Sequence, residues 1–308
     1  MIWEKKGLIY SPPGDGSWKD NSALTPTAIQ LNESVIRVYA SFRDSKGVGR
    51  IGFVDVNSAN PEEILDVSAE PALDIGEPGM FDDNGVILGD IVRVNESIYM
   101  YYVGFQLVNK VKFLAYSGLA ISNDGGNRFK RYSCVPVMDR SDEAKYIRAI
   151  HSVLHEDGKF KCWYATGNGW QSIKGKDYPQ YDINYVESQD GIFFSKGKKV
   201  VENDMENGEY RIGRPRVYRH NDKYVMNFTY GTIDGRYIAG QALSQDGVSW
   251  ARDDTKLGIE LSEEGWDSQH LCYPCVVKTT QGRTFMFYNG NDMGFQGFGY
   301  AELKDSSS

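Results

Sequence analysis

Asn95-Glu-Ser-Ile-Tyr-Met-Tyr-Tyr102 joins a three-residue polar turn to an apolar and aromatic run, and the same reading recurs four more times along the chain. The other copies are Asn32-Glu-Ser before Val35-Ile-Arg-Val-Tyr39, Asp157-Gly-Lys before Phe160-Lys-Cys-Trp-Tyr164, Asn221-Asp-Lys before Tyr224-Val-Met-Asn-Phe228, and Gln281-Gly-Arg before Thr284-Phe-Met-Phe-Tyr288. Their closing aromatics, Tyr39, Tyr102, Tyr164, Phe228 and Tyr288, stand 63, 62, 64 and 60 residues apart. Self-similarity at a fixed period marks a structural unit that cannot bury its apolar face alone and stacks on its neighbours.

Ahead of the turns lie further short apolar runs, Thr27-Ala-Ile-Gln-Leu31, Ile91-Val-Arg-Val94, Val153-Leu-His155 and Val276-Val-Lys278, so each unit starts as a hairpin. A third strand and turn follow in the middle units as Ala120-Ile-Ser-Asn-Asp-Gly125, Val186-Glu-Ser-Gln-Asp-Gly191 and Ala242-Leu-Ser-Gln-Asp-Gly247. Asp-Gly supplies the positive backbone angle of a tight turn, and the Ser and Asp side chains can bond turn amides. Each turn runs on to an aromatic, Phe129, Phe194 or Trp250, placed to pack between neighbouring units as a fourth strand begins.

Four strands per unit of about sixty residues, with no long amphipathic helix, predict an all-β chain: a five-bladed β-propeller with four antiparallel strands per blade. The last unit ends early at Tyr300-Ala-Glu-Leu303, while Trp3-Glu-Lys-Lys-Gly-Leu-Ile9 has no hairpin of its own. The expected solution is a ring closed by the N-terminal strand, which removes an exposed edge. Residues 1–305 are expected to form one domain, with 306–308 a disordered tail.

Composition narrows the partners. Among 308 residues 41% are hydrophobic and 25% charged, with a formal net charge of −8, which argues against nucleic acid and anionic membrane as partners because both demand a basic footprint. No apolar stretch reaches the length of a membrane span, and Met1-Ile-Trp-Glu-Lys-Lys lacks the apolar core of a signal peptide, so a cytoplasmic protein is expected. Cys134, Cys162, Cys272 and Cys275 are read as small apolar strand residues: Cys272-Tyr-Pro-Cys275 has neither a helix N-terminus for redox work nor two further ligands for zinc. No oxygen-rich cation loop and no cofactor motif are visible, so no metal and no cofactor are assigned.

Five units with a Ser-x-Asp-Gly-x-x-Trp turn, as at Ser244 to Trp250, resemble the five-bladed glycoside-hydrolase superfamily that includes families 43, 32, 68 and 130. The resemblance spans nearly the whole chain and implies an enzyme that cleaves or transfers a glycosyl group. Ser122-Asn-Asp-Gly-Gly-Asn-Arg-Phe129 and Phe42-Arg-Asp44 also resemble sialidase boxes, although sialidases use six blades. A glycan-binding propeller without catalysis is a third reading, and fold alone does not choose among them.

In such a ring the starts of the first strands converge. They offer Asp20; Asp82 and Asp83; Arg148 and His151; Arg211 and Arg214; and Asp267, Gln269, His270 and Tyr273. Glycosidic cleavage needs a proton donor and usually a second carboxylate, and Asp83 with Asp267 is the expected catalytic pair. Where family 43 resemblance would imply a further acid, the third unit reads Tyr146-Ile-Arg-Ala-Ile-His-Ser152, and positive charge replaces it at Arg43, Arg148, His151, Arg211, Arg214 and His270. Arginine recognises phosphate and carboxylate through paired donors, so the expected ligand is a carbohydrate or sugar phosphate carrying an anionic group, with Trp170 available to stack on a sugar face.

Overall fold

The computed structural model describes residues 1–304. After β1 (Trp3–Tyr10), the strands β2 (Asn21–Asn32), β3 (Val35–Arg43), β4 (Gly49–Asn57) and β5 (Ile64–Val67) hydrogen-bond in chain order into antiparallel sheet I. Sheet II repeats the order with β6 (Val86–Val94), β7 (Ser97–Gln106), β8 (Leu114–Ser122) and β9 (Lys130–Arg131). Sheet III does so with β10 (Ile147–Glu156), β11 (Lys159–Ile173), β12 (Lys176–Ser188) and β13 (Lys198–Val201), and meets sheet II in a parallel contact of Ile147 and Arg148 with Ala115 and Tyr116. Sheet IV holds β14 (Glu209–His220), β15 (Lys223–Thr232), β16 (Tyr237–Ser244) and β17 (Ala251–Arg252). Sheet V holds β18 (Cys272–Lys278), β19 (Thr284–Asn289) and β20 (Phe298–Leu303), and its fourth strand is β1, with Trp3 opposite Leu303 and Tyr10 opposite Phe298.

The polar turns do what their residues allow. Asp157-Gly158 and Asn221-Asp222 hold positive φ at both central positions, +52° and +71°, +47° and +59°, the twist that fits a two-residue hairpin. In the third turns the Ser122, Ser188 and Ser244 hydroxyls accept the Gly126, Gly191 and Gly247 amides at 2.9, 3.0 and 2.9 Å, with Asp124, Asp190 and Asp246 bound to the same hydroxyls.

Each third turn is also a joint. The Tyr39 and Tyr101 hydroxyls and the Trp163 indole N–H donate to the carbonyls of Gly126, Gly191 and Gly247, each in the next sheet, at 2.7, 2.8 and 2.9 Å. The same rings meet Phe129, Phe194 and Trp250 edge-on, with centroids 5.8, 6.3 and 6.3 Å apart. A side chain at Gly191 would place its Cβ 2.5 Å from the Tyr101 hydroxyl, so this turn needs glycine for close approach as well as for its φ of +72°.

Apolar clusters fill the spaces between sheets. Sheets I and II share one around Tyr39, Leu88 and Tyr102; II and III one around Tyr101, Ile150 and Tyr164; III and IV one around Trp163, Ile212 and Phe228. Leu257 and Ile259 join Trp3 and Tyr288 between IV and V, and Phe42 joins Phe287 and Phe298 between V and I. Cys162, Cys272 and Cys275 are buried in strands as unpaired thiols, and Cys134 is exposed. No helix among the described residues is long and apolar enough to cross a membrane, and residues 306–308 lie outside those described.

Candidate functional site

All five first strands break register at the same place: between Leu24 and Thr27, Leu88 and Asp90, Ile150 and Ser152, Gly213 and Arg216, and Cys272 and Cys275. A bulge of this kind leaves backbone unpaired and re-aims a side chain. The residues within the breaks, Thr25, Gly89, His151, Arg214 and Tyr273, together enclose a void of about 10 Å³ with Pro26 and Arg216, room for about one water. Thr25, Arg214 and Tyr273 hold φ of +56°, +52° and +57°, a left-handed backbone that side chains rarely adopt and that costs about 1–3 kcal/mol at each position.

The amides near these breaks are taken up in a relay from each sheet to the next. Ser41 of sheet I accepts from the Leu88 amide at 2.8 Å, Ser117 of sheet II from Ile150 at 2.7 Å, Ser152 of sheet III from Val217 at 3.0 Å, Thr229 of sheet IV from Tyr273 at 2.9 Å, and Asn289 of sheet V from Thr25 at 2.8 Å. All five acceptors are buried, and a buried amide left alone would be expensive. Ser117→Ala should therefore lower stability by about 1–3 kcal/mol. Urea unfolding measures it, and an unchanged midpoint would show that the relay carries no weight.

Above the void opens a cavity of about 450 Å³, to which sheets I to V all contribute. Arg43, at the end of β3, Arg211 and Arg214 of β14, and Lys112 from the β7–β8 loop reach it, together with His151, Tyr178, Tyr181, Tyr237 and Tyr273. Among the described residues no aspartate or glutamate lines it. Among the described residues none of these four cations forms an ion pair with a carboxylate. Arg214 donates to the Leu88 carbonyl at 2.5 Å, and Arg211 lies over the Tyr237 and Tyr210 rings at 4.4 and 5.0 Å. Arg216 shows the contrast, for it is paired with Asp90 and with the Thr27 hydroxyl. Regular alternation would put these two arginines, two residues apart, on one face; the register break between Gly213 and Arg216, with Arg214 at φ +52°, turns Arg214 to the cavity and leaves Arg216 in a structural pair.

Desolvation depresses the Arg43 and Arg214 guanidinium groups, yet arginine keeps its charge at any physiological pH. Burial raises the Tyr237 and Tyr273 phenols, so they hold their protons and serve as donors. Burial, reinforced by the charges of Arg214 and Arg216, holds the His151 imidazole well below its ordinary range, and its Nδ1 has no partner. His151 is thus neutral in the folded protein and gains a proton on unfolding. Its contribution to stability is complete above the unfolded value near ~6.5 and is lost as pH falls below it, by up to about 1.4 kcal/mol per pH unit. Against the parent, His151→Gln should flatten the fall in urea midpoint between roughly pH 6.5 and 5; an unaltered slope would contradict this.

Of the residues expected from sequence, Arg43, His151, Arg211, Arg214 and Tyr273 converge. The expected catalytic carboxylates do not line the cavity. Asp83 accepts the Gly79 amide at 2.9 Å and so closes its own turn, and Asp267 is buried against Lys5 at 2.7 Å and the Tyr288 hydroxyl at 2.9 Å. Asp82 is buried in a pair with Arg131, and Asp20 accepts the Gly16 amide. Arg148 donates to the carbonyls of Asp139 and Ser195, Trp170 packs on Phe113 and Tyr146, and Gln269 and His270 are held by their backbone amides on Asn291. Lys112, Tyr178, Tyr181 and Tyr237 were not foreseen. A signal for two of them lay in Lys174-Gly175, whose φ of +49° and +76° turn the long β11–β12 hairpin that carries Tyr178 and Tyr181 to the cavity.

No family model matches the chain. It is 34% identical over 305 residues to a protein of Mycobacterium tuberculosis (strain ATCC 25618 / H37Rv) described as uncharacterized protein Rv1502, covering 99% of this chain and 100% of the relative. Among solved structures, one described as a glycoside hydrolase superposes with a TM-score of 0.73 at 17% identity, over 99% of this chain and 92% of that one. A thermostable family-43 glycoside hydrolase gives 0.68 at 17%, over 97% and 94%. Beta-1,2-mannobiose phosphorylase from Listeria innocua gives 0.71 at 10%, over 99% and 98%. Identities this low speak for fold, whereas the mycobacterial match speaks for descent: the chain belongs to the family of Rv1502, and it carries the propeller fold of the glycoside hydrolases.

Proposed function

We propose that this protein is a single five-bladed propeller, closed by its N-terminal strand, whose axial cavity binds a sugar bearing a phosphate or carboxylate. One observation carries the reading: three arginines and a lysine reach a cavity that no carboxylate among the described residues lines. Gathered cations repel one another, and exclusion of water strengthens the repulsion, so the arrangement calls for a bound anion. The relay of hydroxyl and amide side chains that runs through all five sheets and back to the first supports the ring.

Glycosyl cleavage or transfer in this cavity cannot draw on a pair of wall carboxylates. Its proton-bearing wall groups are the tyrosine phenols, and a bound phosphate is the natural nucleophile. The missing carboxylates equally favour a second reading, recognition of the anionic sugar without turnover. Sugar phosphates, nucleotide-sugars and uronides should shift the melting temperature upward while neutral glycans do not, and product analysis with and without inorganic phosphate separates the two readings. Asp83→Asn should keep affinity within a few-fold of the parent. A large loss on that substitution, or stabilisation by neutral glycans alone, would overturn the assignment.

A further inference from the structure

The three arginines of the cavity come from sheets I and IV. Arg211, Arg214 and Tyr237 come from sheet IV, Tyr273 from sheet V and Arg43 from sheet I. Sheets II and III contribute an apolar strip to the wall, Ile87, Val103, Phe105, Ala115, Ile147 and Ala149, beside the polar Asn84 and Lys112 of sheet II and His151, Tyr178 and Tyr181 of sheet III. The aromatic part of this wall is held in place, with Phe105 edge-on to Phe113 at 5.1 Å and Phe113 edge-on to Trp170 at 5.1 Å. Leu107, which also lines the cavity, is 61% exposed, and its neighbour Val108 is 37% exposed, so the apolar surface continues to the exterior on that side.

A sugar ring seated directly on the strip formed by Ile87, Val103, Phe105, Ala115, Ile147 and Ala149 would bury hydroxyl groups without partners on that face, which is unfavourable for each of them. An alkyl, acyl or aryl group loses nothing there and gains by leaving water. We infer that the ligand is amphipathic: the anionic group sits among Arg43, Arg211 and Arg214, and an apolar aglycone or acyl substituent lies along sheets II and III toward Leu107. This rests on the anionic-sugar reading and adds the chemistry of the other end. It also accounts for an apolar strip at the mouth of a cavity in which charged and polar groups would otherwise be expected to bind a hydrophilic ligand alone.

The test uses the full chain with inorganic phosphate, methyl phosphate, butyl phosphate and phenyl phosphate, titrated by calorimetry at one salt concentration. All four should bind. Affinity should rise from methyl to butyl by at least tenfold, on the basis of about fourfold per buried methylene, with a heat-capacity change that grows more negative. Leu107→Ser and Phe113→Ser, both at the partly exposed rim, should reduce the gain while leaving inorganic phosphate unchanged. Equal affinities across the series, or a gain that both variants leave intact, would overturn the apolar-wall inference and leave the anion site standing. Failure of all four to bind would remove the anion site and the inference with it.

Discussion

Arg214→Ala is expected to weaken binding of an anionic ligand thirtyfold to several-thousandfold, the range of about 2–5 kcal/mol seen when one member of a desolvated charge pair is truncated. The residue sits where β14 breaks register, lines both the small void and the main cavity, and among the described residues hydrogen-bonds only to a backbone carbonyl, with the Tyr273 ring 5.8 Å away. Stability should respond in the opposite sense to affinity. At φ +52° a glycine avoids strain that alanine retains, so Arg214→Gly should be the more stable of the two variants by about 1 kcal/mol. Ligand-free Arg214→Gly should be at least as stable as the parent, because a cation without a carboxylate partner has been removed from a desolvated site. Paired measurements of urea midpoint and phosphate affinity test both halves. A loss of stability that matches the loss of binding would mark Arg214 as a structural residue.

Removing residues 1–10 should abolish the cooperative unfolding transition. β1 is the fourth strand of sheet V, and both Trp3 and Tyr10 are buried, the first in the cluster between sheets IV and V and the second in that between V and I. Its loss exposes the β20 edge and empties two cores at once. Trp3→Ala alone should cost about 3–5 kcal/mol. A truncated chain that unfolds at the parental urea concentration would mean that β1 only decorates a structure complete without it.

What was legible in the sequence is what repeats. The five polar turns and the three Ser-x-Asp-Gly turns each act within a few residues, so local chemistry shows in the local sequence, and their period reveals the sheets. Arg211 and Arg214 were legible because β14 is the first strand of its sheet, whereas Arg43 reaches the cavity from the end of β3 and Arg148, near the start of β10, is taken up by two backbone carbonyls instead. That Asp83 and Asp267 stand away from the cavity has a physical reason. Asp82-Asp83-Asn84-Gly85 serves as turn chemistry as readily as acid chemistry, and the partner that holds Asp267 is Lys5, at the far end of the chain. The register breaks were hidden because Thr25, His151, Arg214 and Tyr273 share no residue type; only their place at the break in pairing is common. The tyrosine wall was hidden by length, since β11 and β12 run on through a polar, glycine-containing stretch that resembles a loop.

The most direct measurement of the central claim is calorimetric titration of inorganic phosphate and of a sugar phosphate into the parent and Arg214→Ala proteins at low and high salt. The account predicts saturable binding at a single site in the parent, weakened as salt rises, and little or none in the variant. No binding by the parent, or equal binding by the two proteins, would contradict it.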